Sequence, residues 1–520
     1  MDQILHIFKK DVRRHWLEIL ISLALLALFT RHELHPWSER HEMYGFSFSA
    51  LLYSGRIIIP ALIISWLLLI LRVIQSETLV GDSQWWVTKP YEWWKLLLAK
   101  LFFIVVFINV PLYHSQLFLL HKAGFPVIPY LWKVILLQLS IPCALILFMV
   151  LLACLTRNLG QALLTLGILL AVVIAVAWIS SQTPDRGMHR YSELSQDISD
   201  AVLLGTLLFA VAWQFARRRT WQSRGLICLA LLFNSGIGGL LPENQIERIS
   251  PLTSLKDAPV QVSLRPFEPR HNSLRRWDGP SDNVTLALPL NVSGVAPGTL
   301  LSIDGVNVKA DSPDASHWNR GWKSKSGQIW TEDERKTLYY VLDRKAYEKY
   351  KSTPYNLQIE IVFLEYQAAD ARMLDLASGT FRDQTLGSCR LNPVNDSGVQ
   401  CLKPIQGPGF MARFDAVSSP CMDSDDPLAL SDRKAWVAYA WQAPHTDYLP
   451  DSNLSSVADY NLWFTPVTRH GTDDPRSRLY MSTHLCRNDQ IWLARPVFKR
   501  QFRIHLELPN TRLLDLAEPD

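Results

Sequence analysis

Cys389, Cys401, Cys421 and Cys486 carry the most defined chemistry in this 520-residue chain. All four lie in its C-terminal half, and an even number there suits two disulfides in an oxidising compartment. The turn-forming segment from Asn392 to Gly398 makes Cys389–Cys401 the expected hairpin bridge. The spacings lack the tight CxxC pairs of a zinc site. Asp423, Asp425 and Asp426 lack the glycine and distal glutamate of a calcium loop and read as a solvated turn. His32-Glu33-Leu34-His35 has the wrong spacing to put two ligands on one helical face. The chain contains no GxxxxGK[ST], HExxH or GxSxG sequence. It therefore has no phosphate-binding loop of its own, no zincin helix and no hydrolase nucleophile elbow. No catalytic residue, metal ligand or cofactor site is nominated.

The elements that position these residues fall into two unlike halves. The mean hydropathy is +0.06, an average of apolar runs up to residue 242 and a polar remainder rich in Pro, Asp and Asn. That division excludes a simple soluble enzyme, a disordered chain and a fibrous one. The net charge of +4 is too small to point to nucleic acid.

A bilayer core needs about 20 mostly apolar residues per helix. Such runs occur at 16–30, 51–71, 97–120, 131–155, 159–181, 200–216 and 225–241, the last containing the weakly hydrophobic stretch from Asn234 to Gly239. The expected fold is an α-helical membrane bundle of six or seven transmembrane helices (1–242), followed by a mainly-β, sandwich-like domain (243–520). The first run has basic residues before it but no small-residue cleavage site after it, so it reads as a retained helix.

Lys and Arg in short loops set orientation. With a cytoplasmic N-terminus, the inner segments hold Lys9, Lys10, Arg13, Arg14, Arg72, Lys89, Lys95, Lys100, Arg157, Arg217, Arg218, Arg219 and Arg224. The outer ones hold Arg31, Arg40, Lys122, Lys133, Arg186 and Arg190, with Arg56 at a boundary. Seven crossings would then place the C-terminal half outside the cytoplasm. Arg56, Asn109, His114 and Gln116, with Gln138, are candidate pathway residues within the apolar runs. Hydrogen bonding between helices is their alternative role.

Beyond Pro242 the apolar period becomes two. Val284, Leu286, Leu288, Leu290 and Val292 line one strand face. Leu357–Phe363 and Phe502–Leu508 read the same way, and Asp304-Gly305 reads as the turn of a hairpin. A short helix is expected near 343–350. Two lobes dividing near 370–385 accommodate the size of the region.

Two segments expected on the cytoplasmic side complete the picture. In residues 4–14, Ile4, Leu5, Phe8 and Val12 are assigned to one helical face, and Lys9, Lys10, Arg13 and Arg14 to the rest. That is an interfacial amphipathic helix, or simply a topogenic basic flank. The loop between the second and third apolar runs carries Glu77, Gly81, Asp82, Trp85, Trp86, Pro90, Trp93, Trp94 and Lys100. Its tryptophans alone would suit an interfacial anchor.

The order Glu77, Gly81, a short amphipathic stretch, Pro90, then a run to Lys100 resembles the second cytoplasmic segment of permease subunits in the ABC-2 family of ABC transporters. The N-terminal helix resembles that family's elbow helix. The resemblance covers about residues 1–220, more by layout than by identity. It implies a bacterial inner-membrane permease whose loop couples to a cytoplasmic ATPase on another chain. It also implies a permease dimer in the lipid bilayer. The C-terminal domain departs from the family, and the cargo and the role of that domain stay open. The competing reading is a membrane anchor that displays a β-sandwich binding or sensory domain without transport.

Overall fold

Helices occupy the first half of the chain and sheets the second. The computed structural model describes residues 2–33, 57–77, 92–182, 192–217, 220–226, 229, 260–264, 283–311, 317–330, 335–391, 399–404, 409–415, 437–442, 454–462, 465–467 and 489–517.

The N-terminal helix α1 (Asp2–Arg14) buries a stripe of one residue per turn. Ile7, Asp11 and His15 are buried, and Ile4, Phe8 and Val12 pack beside them. Leu5 does not belong to this stripe, contrary to the sequence expectation: it is 63% exposed. At about 100° per residue, Leu5 falls one turn from Lys9 on the opposite side, and Ile7 takes its place. Helices α2 (Trp16–Glu33) and α3 (Ile58–Gln75) follow.

The next helix is a rod from Trp93 to Lys122 in three parts: α4 (Trp93–Ile104), a π-helical turn (Val105–Asn109) and α5 (Val110–Lys122). Pro111 accounts for the irregular middle, since its ring and missing N–H cannot continue an α-helical ladder. The rod ends in a Schellman motif. Gly124 has φ +92°, its N–H bonds to His121 O at 3.1 Å, and Phe125 N–H bonds to Leu120 O at 3.1 Å. The chain then enters α6 (Leu131–Leu155), α7 (Leu159–Gln182) and α8 (Ser192–Arg217).

Helices thus stand at six of the seven apolar runs, and of the remaining one, 225–241, only 225, 226 and 229 are among the described residues. Among the described residues, two helices, Ile58–Gln75 and Trp93–Lys122, are long and apolar enough to cross a membrane. Their shared core includes Leu62, Trp66, Leu69, Phe103 and Leu112.

The second half builds three sheets. β1 (Gln261–Leu264), β2 (Asn283–Ser293) and β5 (Arg335–Asp343) form a three-stranded sheet in the order β1-β2-β5. Four short strands form another, in the order β12-β9-β8-β7: β7 (Thr380–Asp383), β8 (Gly387–Leu391), β9 (Val399–Pro404) and β12 (Val457–Leu462). The largest sheet has seven strands in the order β13-β11-β10-β14-β6-β3-β4. They are β3 (Thr299–Asp311), β4 (His317–Trp330), β6 (Pro354–Asp375), β10 (Phe410–Asp415), β11 (Val437–Gln442), β13 (Thr465–Val467) and β14 (Gln490–Arg512).

The two longest strands, β6 and β14, pair antiparallel along their length and feed two separate cores. One core holds Leu286, Leu290, Ile359, Phe363 and Phe502; the other holds Leu386, Val399, Phe410, Ile491 and Leu493. Helix α9 (Arg344–Tyr350) follows β5 as the sequence suggested.

Asp304-Gly305 is not a turn, which corrects the hairpin expectation. β3 runs straight through it, paired to β4 on one side and β6 on the other, with a register shift between Ile303 and Gly305. Flanked on both sides, the pair is absorbed as a bulge, where an extra residue costs less than breaking two ladders.

Cys389 and Cys401 stand directly opposite on β8 and β9 and are disulfide-bonded. Cys421 and Cys486 lie outside the described residues. Closing a loop with a sequence separation of 12 restrains the unfolded chain. Replacing Cys389 by Ser is expected to destabilise the β region by about 2–4 kcal/mol. A lower unfolding midpoint by tryptophan fluorescence, matched by reductant on the unsubstituted chain, is the expected result.

Candidate functional site

The two ends of the loop between α3 and α4 meet the N-terminal helix in a buried charge cluster. Asp11 is a short acidic side chain on the apolar stripe of α1, an awkward place for a carboxylate unless a cation meets it. Lys100, one turn from the end of α4, supplies that cation. Its Nζ lies 2.8 Å from Asp11 Oδ2, and the two side chains are 2% and 0% exposed. Lys100 Nζ also donates to Val73 O at 2.9 Å and to Ser76 Oγ at 3.3 Å, at the end of α3. All three ammonium protons thus have acceptors.

Beside this, Lys10 Nζ contacts Glu77 Oε1 at 2.6 Å, with Glu77 buried and Lys10 partly exposed. Glu18 and Arg72 close a third contact at 2.6 Å between α2 and α3. Arg72 is exposed, so that pair contributes under about 1 kcal/mol. Gln75 Nε2 reaches Thr156 Oγ1 at 2.9 Å, and Arg224 Nη2 reaches Leu155 O at 3.1 Å. One end of the bundle therefore gathers Lys10, Arg72, Glu77, Lys100 and Arg224.

Glu77 and Lys100, singled out in the sequence, bracket the loop and are both clamped to α1. Trp93 and Trp94 are partly exposed at the start of α4, where Lys95 bonds Glu92 at 2.7 Å and sits over the Trp94 ring at 5.3 Å. Gly81, Asp82, Trp85, Trp86 and Pro90 lie outside the described residues, as does Arg56. Lys9, Arg13 and Arg14 are exposed on α1.

Asp11, His15 and Ser76 were missed in the sequence. The available signal for Asp11 and His15 was polar residues at helical spacing on the apolar stripe, Ile4, Ile7, Asp11 and His15. His15 is buried, and neither ring nitrogen has a hydrogen-bond partner among the described residues. Burial pushes its pKa below the ordinary 6.5; Arg14 and Lys100 add to this, while Glu18 and Asp11 oppose it.

The other end of the rod meets the β region. Gln116 is fully buried on α5; its Nε2 donates to Leu454 O at 2.9 Å and its Oε1 accepts from Gln138 Nε2 of α6 at 3.1 Å. Gln138 Nε2 also reaches Asn109 O at 3.2 Å, next to the π turn. Ser456 Oγ donates to Gln116 O at 2.5 Å, and Ser388 Oγ to Ala123 O at 2.8 Å. Gly387 has φ +80°, and a Cβ there would lie 2.1 Å from Leu402 O of β9 and 2.5 Å from the Phe125 ring. Only a glycine fits between the neighbouring strand and the ring that follows α5.

Gln116 and Gln138 thus form the helix-to-helix hydrogen bond that was the alternative to a pathway role. His114 is exposed and bonds Val110 O of its own helix at 2.8 Å. No group of three metal-ligating side chains occurs among the described residues. No family model matches the chain, and neither does any curated protein or solved structure.

Removing one partner of a buried pair strands the other charge. Lys100→Met is expected to loosen α1 by about 3–5 kcal/mol, and Asp11→Leu combined with Lys100→Met to recover most of that loss. Hydrogen exchange over residues 2–14 in detergent-solubilised chain reads both. Exchange should also respond to pH. His15 holds fewer protons when α1 is docked, so docking is fully stable above 6.5 and weakens as the pH falls through the lowered value. Protection of residues 2–14, taken relative to the intrinsic exchange rate at each pH, should therefore fall as the pH is lowered through 6.5, and His15→Gln should flatten that fall.

Proposed function

We propose that the chain is the membrane-spanning permease subunit of an ABC-type transporter, driven by an ATPase on a separate chain, in a bacterial inner membrane. The reading takes seven crossings, a cytoplasmic N-terminus and a β region outside the cytoplasm. One observation carries it: Glu77 and Lys100 are ion-paired to Lys10 and Asp11. The two ends of the loop that would meet an ATPase are thereby fastened to one amphipathic helix. A push on that loop would reach α1, α3 and α4 together rather than dissipate in side-chain motion.

Opposite placement of the two contacts supports the orientation. Lys100 and Ala123 lie near opposite ends of one helical rod, about 35 Å apart at 1.5 Å per residue. That is close to the roughly 30 Å of a hydrocarbon core. The disulfide Cys389–Cys401 belongs to the Ala123 side, and an oxidising compartment suits it. Trp93 and Trp94 sit at the other end, where aromatic anchors are favoured.

The test is co-purification from native membranes. An ATPase subunit is expected with the unsubstituted chain and is expected to be lost when 78–92 is replaced by a Gly/Ser linker. Retention of the ATPase by that variant, or a C-terminal fluorescent fusion that lights up in the cytosol, would reject the reading. A chain that spans the membrane as expected but brings down no ATPase would instead favour the non-transporting sensory anchor.

A further inference from the structure

Four consecutive residues leading into β12, Leu454-Ser455-Ser456-Val457, the last of them its first residue, are all buried, although they belong to the β region. Leu454 is part of the helical core with Leu62, Phe103 and Leu112, while Val457 packs with Leu119, Phe125 and Val134. The segment enters between the ends of α5 and α6. Its polar groups are met there: Leu454 O accepts from Gln116 Nε2, Ser456 Oγ donates to Gln116 O, and Val457 N–H donates to Ser455 Oγ at 3.3 Å. One glutamine therefore holds the segment from both its side chain and its backbone. The same side chain is held from behind by Gln138, whose amide also bonds Asn109 O beside the π turn.

We propose that Leu454–Val457 is a wedge that closes this end of the helical bundle and ties the position of the β region to the state of the α5–α6 pair. Separating α5 from α6 breaks the Gln116–Gln138 bond and frees the side chain that grips Leu454. Withdrawing the wedge leaves the Gln116 amide buried without its acceptor, a state that favours movement of the helices. Because a π turn is an uneven point in a helix, Asn109 marks where the rod can shift register with least loss of bonding. The two motions are thus one, and the β region acts as an input to the bundle or an output from it rather than as tethered cargo. Which side of the membrane the wedge faces rests on the orientation proposed above; the coupling itself does not.

Gln138 decides the matter, because its side-chain hydrogen bonds go to the helices and none goes to the wedge. In the full-length solubilised chain, Ser455→Cys is expected to react with a maleimide far more slowly than Met373→Cys, a residue 56% exposed. Adding Gln138→Leu is expected to accelerate labelling at position 455 about tenfold, the size of effect that follows loss of one buried hydrogen bond. His114→Ala, which changes an exposed side chain bonded within its own helix, is expected to leave it unaltered. Amide exchange at Ser456 and Val457, measured with Gln138→Leu alone, gives the same readout without an introduced thiol. Fast labelling of Ser455→Cys in the otherwise unaltered chain would overturn the wedge. Equal amide exchange at 456–457 with and without Gln138→Leu would overturn the coupling.

Discussion

A lysine ammonium buried at the end of a membrane-length helix must be neutralised, and the geometry of the helical half follows from how this is done. Asp11 is the counter-ion of Lys100, and it reaches it only if α1 lies across the ends of α3 and α4 with its apolar stripe inward. Val73 O and Ser76 Oγ complete the coordination, so the same ammonium also fixes the end of α3. Three helices are set by one charge. Desolvation makes the arrangement expensive in isolation, and the close Asp11 contact and the two further acceptors offset that cost.

The rod from Trp93 to Lys122 joins that charge cluster to the β region. Its two ends are bonded differently. The Lys100 end relies on charge, which is directional only at short range. The Ala123 end relies on amides, a hydroxyl, a glycine-sized gap and the rings of Phe125 and Tyr130, whose centroids lie 5.8 Å apart. Between them Pro111 forces the π turn, so the rod has one place where its ladder is already irregular.

In the β half, β6 and β14 do for the sheets what the rod does for the helices. Phe363 and Phe502 stack at 5.4 Å where the strands pair, inside one core, while Leu374 and Ile491 pair in the other. Asp370, with φ +54°, sits where β6 shifts register against β14, and Arg495 bonds its carboxylate at 2.9 Å. Carbonyl and carboxylate partners near a bulge let an aspartate hold a backbone shape that usually selects glycine.

Local pattern was enough to determine the apolar runs at six helices, the period-two strands around Val284–Val292, Leu357–Phe363 and Phe502–Leu508, the helix near 344–350 and the Cys389–Cys401 bridge. Each depends on neighbours a few residues apart or on one turn. Glu77 and Lys100 were also singled out, from their order around a loop whose layout resembles that of a known family. Their partners were not. Asp11 and Lys100 are 89 positions apart, and nothing in either neighbourhood specifies the other. The same holds for Asp304-Gly305, a turn in isolation but a bulge once β4 and β6 occupy both edges of its strand. Gln116 was visible as a polar residue in an apolar helix. Only tertiary structure brought it to Gln138 and Leu454, because satisfying a buried amide requires acceptors and donors that the chain delivers from 22 and 338 residues away.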